Sequence, residues 1–458
     1  MRRALVFILI LPALSCSLFR AKTVPYPIGL MFPLEEAARV EFEGKIVGGW
    51  LKSEAGRVYF STDKGILYCL DSVAQEISWT FVGPSSFGSS PALGVDRLFA
   101  WDQENSVFCL DKKGALLWQV RVSEKISSPI SLDRNHVYFG TETGRLLTLS
   151  QASGELLWSF DTAGAVAAGA VFFDNRLCLG SGDGWVYVLS ATGRLRGAIE
   201  IGSPILVTPL VDGHRLYVGS EDRAIHCYDL RNMKRRWMIT AGGRLLATPR
   251  ADQEKIYFPA SNGVVYALNK ENGHIIWWWI SPSRSRYSLE FDGQNILTTS
   301  ASPNLHSLNI KSGSSLGQFK AGEEIRSNPA WVEPHLLIAL FDPQVNKGRI
   351  VFLRKKVGVK LSAAPASPQP QGTEVTFTAT ATGFHLPQFE FSMIRGEERT
   401  VVQTASERAT WVWYADKEGP CRIRVRVVDE RQSQEAEIDY EIAKKDQPNV
   451  DGKRSAGR

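Results

Sequence analysis

The sequence has no apolar run long enough to cross a membrane and no excess of charge on its body. The apolar run of residues 4–11 falls far short of the about 20 residues that a membrane-spanning helix needs. The formal net charge of +5 comes from Arg2, Arg3 and the last 15 residues. The rest of the chain carries equal numbers of basic and acidic side chains. A neutral body argues against nucleic acid as a partner, because phosphate contacts need a basic face.

Cysteine and histidine are also few, and their spacing does not suit catalysis or metal binding. No two cysteines are adjacent, no Cys-x-x-Cys occurs, and no two histidines lie four residues apart. Cys69, Cys109 and Cys227 recur at one position of a repeat, too far apart for a disulfide. Cys178 takes a position that is Tyr in other repeats, and Cys421 lies in another region. We therefore predict no disulfide, no metal or cofactor, and no enzymatic activity.

The N-terminus has the features of an export signal. Residues 1–15 combine two arginines, a short apolar run and small residues before Cys16. The segment 13–16 resembles a bacterial lipobox, in which Cys16 would become the acylated first residue of an outer-membrane lipoprotein. Cleavage by an ordinary signal peptidase is the alternative. Both readings place the chain in the cell envelope, on the periplasmic side, and in the first a lipid anchor is its only membrane attachment.

A repeat of about 40 residues organises most of the chain. Its marker is a tryptophan on a short apolar strand, at spacings of 39, 40, 79 and 40 residues in the set Trp79, Trp118, Trp158, Trp237 and Trp277. The spacing of 79 is a double period with one tryptophan missing. Each unit contains four short strand-like segments separated by turn residues, as a β-propeller blade does. The tryptophans are predicted to be packing residues between blades.

The two ends of the repeat array predict how the ring closes. Counting strand sets gives eight units, of which the last, ending near residues 349–354, has no outer strand. Residues 38–43 lie one period before Trp79 and have no preceding strands. Joining these two segments completes one sheet and leaves no unpaired edge. We predict an all-β fold with an eight-bladed propeller over residues 38–355, after an N-terminal linker of residues 16–37.

Several repeat segments resemble a known family. Residues 215–220, 264–269 and 154–158 are similar to the PQQ-type propeller repeat. An eight-bladed version behind a lipoprotein signal resembles the BamB family, the scaffold lipoproteins of the outer-membrane β-barrel assembly machinery. The resemblance covers about 320 residues. It implies a non-enzymatic role in outer-membrane protein assembly, with the partner held by interblade loops that carry hydrophobic, arginine and acidic side chains.

The remaining residues predict a second domain. Residues 356–372 have the composition of a stiff Pro-rich linker. Residues 373–443 contain alternating segments at 374–381, 389–393, 410–414, 421–428 and 437–442, which suggest an immunoglobulin-like sandwich similar to the PKD-type module. Residues 444–458 form a basic tail that we expect to be disordered.

Four residues are candidate partner contacts. Trp278 lies between two tryptophans on an outer strand, where alternation turns it to the opposite face. Arg196, Ile205 and Leu206 lie in loops that correspond to the partner-binding loops of the BamB family. The leading hypothesis is an envelope scaffold that binds the β-barrel assembly machinery. The alternative is a periplasmic ligand- or polysaccharide-binding or sensor protein that uses the propeller and the Ig-like module.

Overall fold

The computed structural model describes residues 32–444 except 246, 283–288, 292–293, 300–302, 385 and 430–431. The described residues form β-strands joined by turns and loops. The described residues contain no helix that is long and apolar enough to cross a membrane. The predicted signal, Cys16 and the basic tail beyond Lys444 lie outside the described residues.

After β1 (Leu34–Glu43), the chain forms seven successive antiparallel sheets, sheets 1 to 7, each with four strands in chain order. They are, in order, β2 (Lys52–Glu54), β3 (Arg57–Ser61), β4 (Ile66–Asp71), β5 (Glu76–Val82); β6 (Ala92–Leu93), β7 (Arg97–Trp101), β8 (Ser106–Asp111), β9 (Leu116–Arg121); β10 (Ser131–Leu132), β11 (His136–Gly140), β12 (Arg145–Ser150), β13 (Leu156–Asp161); β14 (Val171–Phe173), β15 (Arg176–Gly180), β16 (Trp185–Ser190), β17 (Leu195–Glu200); β18 (Leu210–Asp212), β19 (Arg215–Gly219), β20 (Ala224–Asp229), β21 (Lys234–Thr240); β22 (Arg250–Ala251), β23 (Lys255–Pro259), β24 (Val264–Asn269), β25 (Ile275–Ile280); β26 (Glu290–Phe291), β27 (Asn295–Thr299), β28 (Asn304–Asn309) and β29 (Ser315–Lys320).

The predicted pairing of the two ends of the array is confirmed. The closing sheet contains β1 together with β30 (Glu324–Ile325), β31 (Ala330–Val332), β32 (His335–Asp342) and β33 (Lys347–Lys355). In it, β1 pairs antiparallel with β33, so that Val40 lies opposite Ile350. The outermost strand of the last sheet therefore comes from the start of the chain, and its pairing holds the two ends of the array together.

The repeat positions predicted from the sequence meet across each sheet. In sheet 5, Tyr217 on the second strand pairs with Cys227 on the third, and Cys227 pairs with Trp237 on the fourth. The same register occurs in four other sheets, with the triplets Tyr59–Cys69–Trp79, Phe99–Cys109–Trp118, Tyr138–Thr148–Trp158 and Tyr257–Ala267–Trp277. A small central residue leaves room for the two aromatic rings that flank it. This explains why the slot holds Cys, Thr or Ala.

Each repeat tryptophan packs against the next sheet. The ring of Trp237 lies beneath Gly273, where an added methyl group would meet the ring at 2.7 Å. Its indole Nε1 donates to the carbonyl oxygen of Lys270 at 3.0 Å. Gly273 also has φ of +75°, so glycine serves both the turn and the close approach. The tryptophans are therefore interblade packing residues in the structure.

The missing tryptophan of sheet 4 is compensated from the next sheet. Its position is Gly197, opposite Val188. The glycine position of the following turn is Met233, which has φ of +58° and extends its Cε to 3.1 Å from a methyl group built on Gly197. The large and small residues have thus exchanged sides. Filling the space from either side keeps the interface packed.

The C-terminal residues form two sheets that share one core. One sheet has the order β34 (Gly358–Ala364), β36 (Glu374–Thr382), β39 (Thr410–Tyr414). The other has β35 (Gln369–Pro370), β41 (Ser433–Ala443), β40 (Gly419–Val428), β37 (Gln388–Arg395) and β38 (Glu398–Ser406). Phe377, Phe391, Ile423 and Val425 are fully buried in the core between them.

The predicted linker of residues 356–372 is wrong for most of its length. Residues 358–364 form β34, which pairs with β36 along its whole length, and β35 pairs with β41. Val359, Leu361 and Ala363 pack against the shared core. The predicted N-terminal linker is also shorter than expected, because β1 begins at Leu34 rather than after residue 37.

Candidate interaction surface

Ile205 is not a surface residue, and the structure corrects its predicted role. Its side chain is fully buried and packs where a methyl group on Gly180 would lie, 2.5 Å away. The positions one and two periods before it are Val166 and Ile126, which are also buried, and Leu245 follows one period later. This recurring apolar position is an interblade plug. The 40-residue period was the signal that could have identified it.

Leu206, the next residue, is 45% exposed and lies in a mixed surface built from three segments. The carbonyl oxygen of Pro204 accepts a hydrogen bond from the backbone N–H of Glu221 at 3.0 Å. The Glu221 carboxylate accepts from the Arg244 guanidinium at 2.7 Å. Glu221 thus links two successive interblade loops. We call Leu206, Glu221 and Arg244 the loop surface.

The acidic member of the loop surface was missed in the sequence. Glu221 lies in the hairpin turn between β19 and β20, and turn chemistry alone explains an acidic residue there. Its neighbours come from loops about 17 residues before it and 23 residues after it. Only the stacking of sheet 5 between its neighbours brings them together.

Arg196 does not join this surface. It is exposed near the start of β17, whereas the loop with Leu206 follows the far end of the same strand. A strand advances by about 3.3 Å per residue, so the two side chains lie at opposite ends of the blade edge. The predicted grouping of Arg196 with Leu206 is therefore not realised.

Trp278 faces outward, as alternation on the strand predicts. It is 62% exposed, while Trp277 beside it is only 6% exposed. Ile275, Ile276 and Ile280 on the same strand are also exposed. β25 is the last strand of sheet 6, so one of its backbone edges has no strand beside it in the described sheet order. An exposed apolar edge strand of this kind is suited to contact with another protein.

The cysteines have the properties of packing residues. Cys69, Cys109, Cys178, Cys227 and Cys421 are buried and free. Burial raises the pKa of the Cys109 thiol to about 11 and those of Cys178 and Cys227 to about 12. Thiols with such pKa values stay protonated at neutral pH and are poor nucleophiles and ligands.

One polar cluster contains the residue types of a nucleophilic triad without its geometry. Ser220 Oγ donates to Asp222 Oδ1 at 2.5 Å and lies 3.2 Å from His226 Nε2. The Asp222 carboxylate approaches this same nitrogen, at 3.8 Å, and His226 Nδ1 has no partner among the described residues. A triad needs the carboxylate on the other ring nitrogen, so this cluster stabilises a turn. In the described part of the chain, no three His, Cys, Asp or Glu residues are placed to hold a metal ion.

The fold and its repeat contacts define a β-propeller of the PQQ-like repeat type. The family model described as outer membrane protein assembly factor BamB matches residues 82–205 and again residues 182–333, which is more than half of the chain. The chain therefore belongs to this family.

Curated relatives match shorter stretches. BamB of Yersinia pestis is 24% identical over 159 residues, covering 30% of this chain and 40% of that protein. BamB of Nitrosomonas eutropha is 26% identical over 107 residues, covering 23% of this chain and 26% of that protein. The β-alanine-activating enzyme of Danio rerio is 28% identical over 113 residues, covering 23% of this chain and 10% of the enzyme. The chain thus spans well under half of each of these relatives.

Solved structures show the same fold. BamB from Moraxella catarrhalis superposes with a TM-score of 0.62 at 16% identity, covering 71% of this chain and 98% of that one. The computationally designed Ika8 protein reaches 0.60 at 15% identity, covering 68% and 97%. At such identities the likeness concerns the fold alone.

Proposed function

We propose that this protein is a non-enzymatic envelope scaffold that takes a BamB-like part in the assembly of outer-membrane β-barrel proteins. The observation that carries the proposal is the loop surface, in which a carboxylate and a guanidinium pair between two interblade loops, the first of which carries an exposed leucine. Membership of the BamB family and relatives that bear the BamB name support the role. In this proposal the partner is a periplasmic part of the assembly machinery.

The chemistry of the loop surface suits a partner protein. Apolar anchors and arginine contribute most of the energy at protein interfaces, and the surrounding polar groups set specificity. Leu206 supplies the anchor, while Arg244 is 56% exposed and retains donors that Glu221 does not use. β25, with Trp278, is a second candidate contact, at which a partner strand adds to the blade edge.

The proposal extends to the parts that surround the surface. The seven sheets and the closing sheet act as eight blades of one ring, and the C-terminal pair of sheets is an Ig-like module of the PKD type. Residues 1–15 export the chain, and Cys16 carries the lipid that holds it at the periplasmic side of the outer membrane. Nucleic acid and resident cofactors have no part in this function.

The test is affinity purification of the tagged full-length protein from cross-linked envelopes, followed by mass spectrometry. We expect the β-barrel assembly machinery to be enriched, and Leu206→Glu to reduce that enrichment by about tenfold or more, as loss of an interface anchor does. Leu156→Glu is the matched control, because Leu156 is 58% exposed on the outer strand of sheet 3. A clean purification without assembly proteins would contradict the proposal.

A companion variant separates the two surfaces. Trp278→Ser removes the exposed ring of β25 and leaves the loop surface unchanged. If the loop surface holds the partner, Trp278→Ser keeps the enrichment that Leu206→Glu loses. The reverse pattern would move the contact to the edge of β25.

A further inference from the structure

The first strands of the sheets carry an unusual set of charges at one level. Each first strand pairs with the second strand of its sheet through the same register slot, which places Lys52 opposite Tyr59 and Arg250 opposite Tyr257. First strands of neighbouring sheets also contact one another, as β14 and β18 do. The residues in this slot therefore surround the axis of the propeller.

Charge occupies only one side of this ring. Lys52, Arg250 and Glu290 come from sheets 1, 6 and 7, which are neighbours once the closing sheet, with Ala330 in the slot, is counted between sheets 7 and 1. Sheets 2 to 5 contribute small or apolar residues, among them Val171 and Leu210. The axial channel thus has a charged side and an uncharged side.

The charged side has one more cation than it has anions. Arg250 Nη2 donates to Glu290 Oε2 at 2.8 Å, and its Nε donates to the Leu289 carbonyl oxygen at 3.1 Å. The Lys52 ammonium lies 4.9 Å from the ring centre of Trp50, and the Arg250 guanidinium lies 5.5 Å from the same ring. Among the described residues, the Lys52 ammonium has this ring contact and no hydrogen bond or ion pair.

The pKa shifts of Lys52 and Glu290 show that their charged forms are unfavourable in this cluster. Burial and the neighbouring Arg250 guanidinium lower the pKa of Lys52, although Glu290 opposes the shift. Burial also raises the pKa of Glu290, against the effect of Arg250. A largely buried ammonium without a counterion is unfavourable, and an anion beside it would offset the lost hydration.

The first strands of sheets 3 to 5 carry apolar surface residues. Ser131, Val171, Phe172 and Leu210 line part of an open cavity of about 410 Å³. Phe172 is 37% exposed there. Neither Lys52 nor Arg250 is among the described residues that line it, so the charged side of the channel is a separate surface.

We propose that the axial channel is a binding site for a small organic anion with one carboxylate or phosphate and an apolar body. Lys52 and Arg250 bind the anionic group, and the ring of Trp50, which both cations approach, contacts the apolar body. Glu290 orients Arg250 and offsets part of the positive charge. The site is separate from the loop surface, so it serves a ligand rather than the assembly partner.

The test uses the full-length protein and three eight-carbon probes that differ in charge: octanoate, 1-octanol and octylammonium. Titration calorimetry should detect octanoate binding at millimolar concentration or below, with octanol at least about tenfold weaker and octylammonium not bound, because the ammonium and guanidinium favour an anion. Octyl phosphate should compete with octanoate. Equal binding of all three probes, or no octanoate binding at millimolar concentration, would overturn the proposal.

Variants then assign the binding to the channel. Lys52→Met should weaken octanoate binding about tenfold while leaving thermal unfolding close to that of the parent, because an unpaired buried charge is removed. Lys125→Met is the control, since Lys125 is a surface cation that pairs with Glu142. Undiminished octanoate binding in Lys52→Met would refute the assignment. If that variant is not folded, Lys52→Gln and competition of octanoate by acetate in the parent protein give the same decision.

Discussion

Replacing Trp277 with alanine should lower the free energy of unfolding of the propeller by about 3 to 5 kcal/mol, the usual cost of removing a large buried aromatic side chain. The Trp277 ring packs against Tyr257, lies beneath Gly313, and donates its Nε1–H to the Ile310 carbonyl oxygen at 3.2 Å. Removal leaves a cavity between sheets 6 and 7 and takes away one of the two donors to the Ile310 carbonyl oxygen, the other being the Tyr257 hydroxyl at 3.4 Å. Thermal and urea unfolding of the full-length variant measure the effect.

The neighbouring tryptophan is a matched control for this substitution. Trp278→Ala removes the same atoms from an exposed position and should change the free energy of unfolding by about 0.5 kcal/mol or less. Similar losses in the two variants would mean that the ring of Trp278 is also buried. The packing role assigned to the repeat tryptophans would then need revision.

Restoring the repeat pattern between sheets 4 and 5 requires Gly197→Trp and Met233→Gly. We expect the effects of these two substitutions on the free energy of unfolding to be strongly non-additive. Gly197→Trp alone should destabilise by about 1 to 3 kcal/mol, because Met233 already fills the space that the ring needs. Met233→Gly alone leaves that space empty, which costs about 2 to 5 kcal/mol, less the relief of a positive φ at a non-glycine residue. The double variant should be more stable than the sum of the two by about 0.5 to 3 kcal/mol.

A second pair tests whether the coupling is local. Met238 lies on β21 and is 45% exposed, whereas the three atoms nearest to a methyl group built on Gly197 all belong to Met233. Met238→Gly combined with Gly197→Trp should give additive losses of unfolding free energy. Coupling in this control pair, or additivity in the Gly197 and Met233 pair, would contradict the exchange of large and small residues described above.

The propeller region could be predicted well because its signals are local and repeated. Alternation and turn residues predicted four short strands in each unit, of which β11 and β12 are examples, and the same pattern recurred about every 40 residues. The pairing of β1 with β33 followed from counting, since an incomplete unit at each end implies a shared sheet. The repeat position that holds the small residues Cys109 and Thr148 was also recognisable in the sequence.

The C-terminal sheets could be predicted only in part. β34 lies in a stretch rich in Ala, Ser and Pro, and its small apolar residues give a weak alternation signal. β38 is exposed over most of its length and has no buried face for a pattern to mark. Both strands are held by backbone pairing with stronger neighbours, which a single segment of sequence does not contain.

The candidate interaction residues show most clearly which features follow from the local sequence and which depend on contacts between sheets. The exposure of Trp278 follows from alternation on one strand, so the local sequence was enough. The burial of Ile205 depends on its insertion against Gly180 of the preceding sheet, and the loop surface depends on a turn and two loops that meet only when sheets stack.

The amino-acid pattern therefore established the repeat, its strands and the residues that pack within each sheet, because period-two alternation and tight turns act over a few residues. Contacts between sheets established which loop residues are plugs, which form a surface, and how Lys52, Arg250 and Glu290 come to share one side of the axis. These residues lie up to 238 positions apart in the chain. Only closure of the ring brings them within reach of one another.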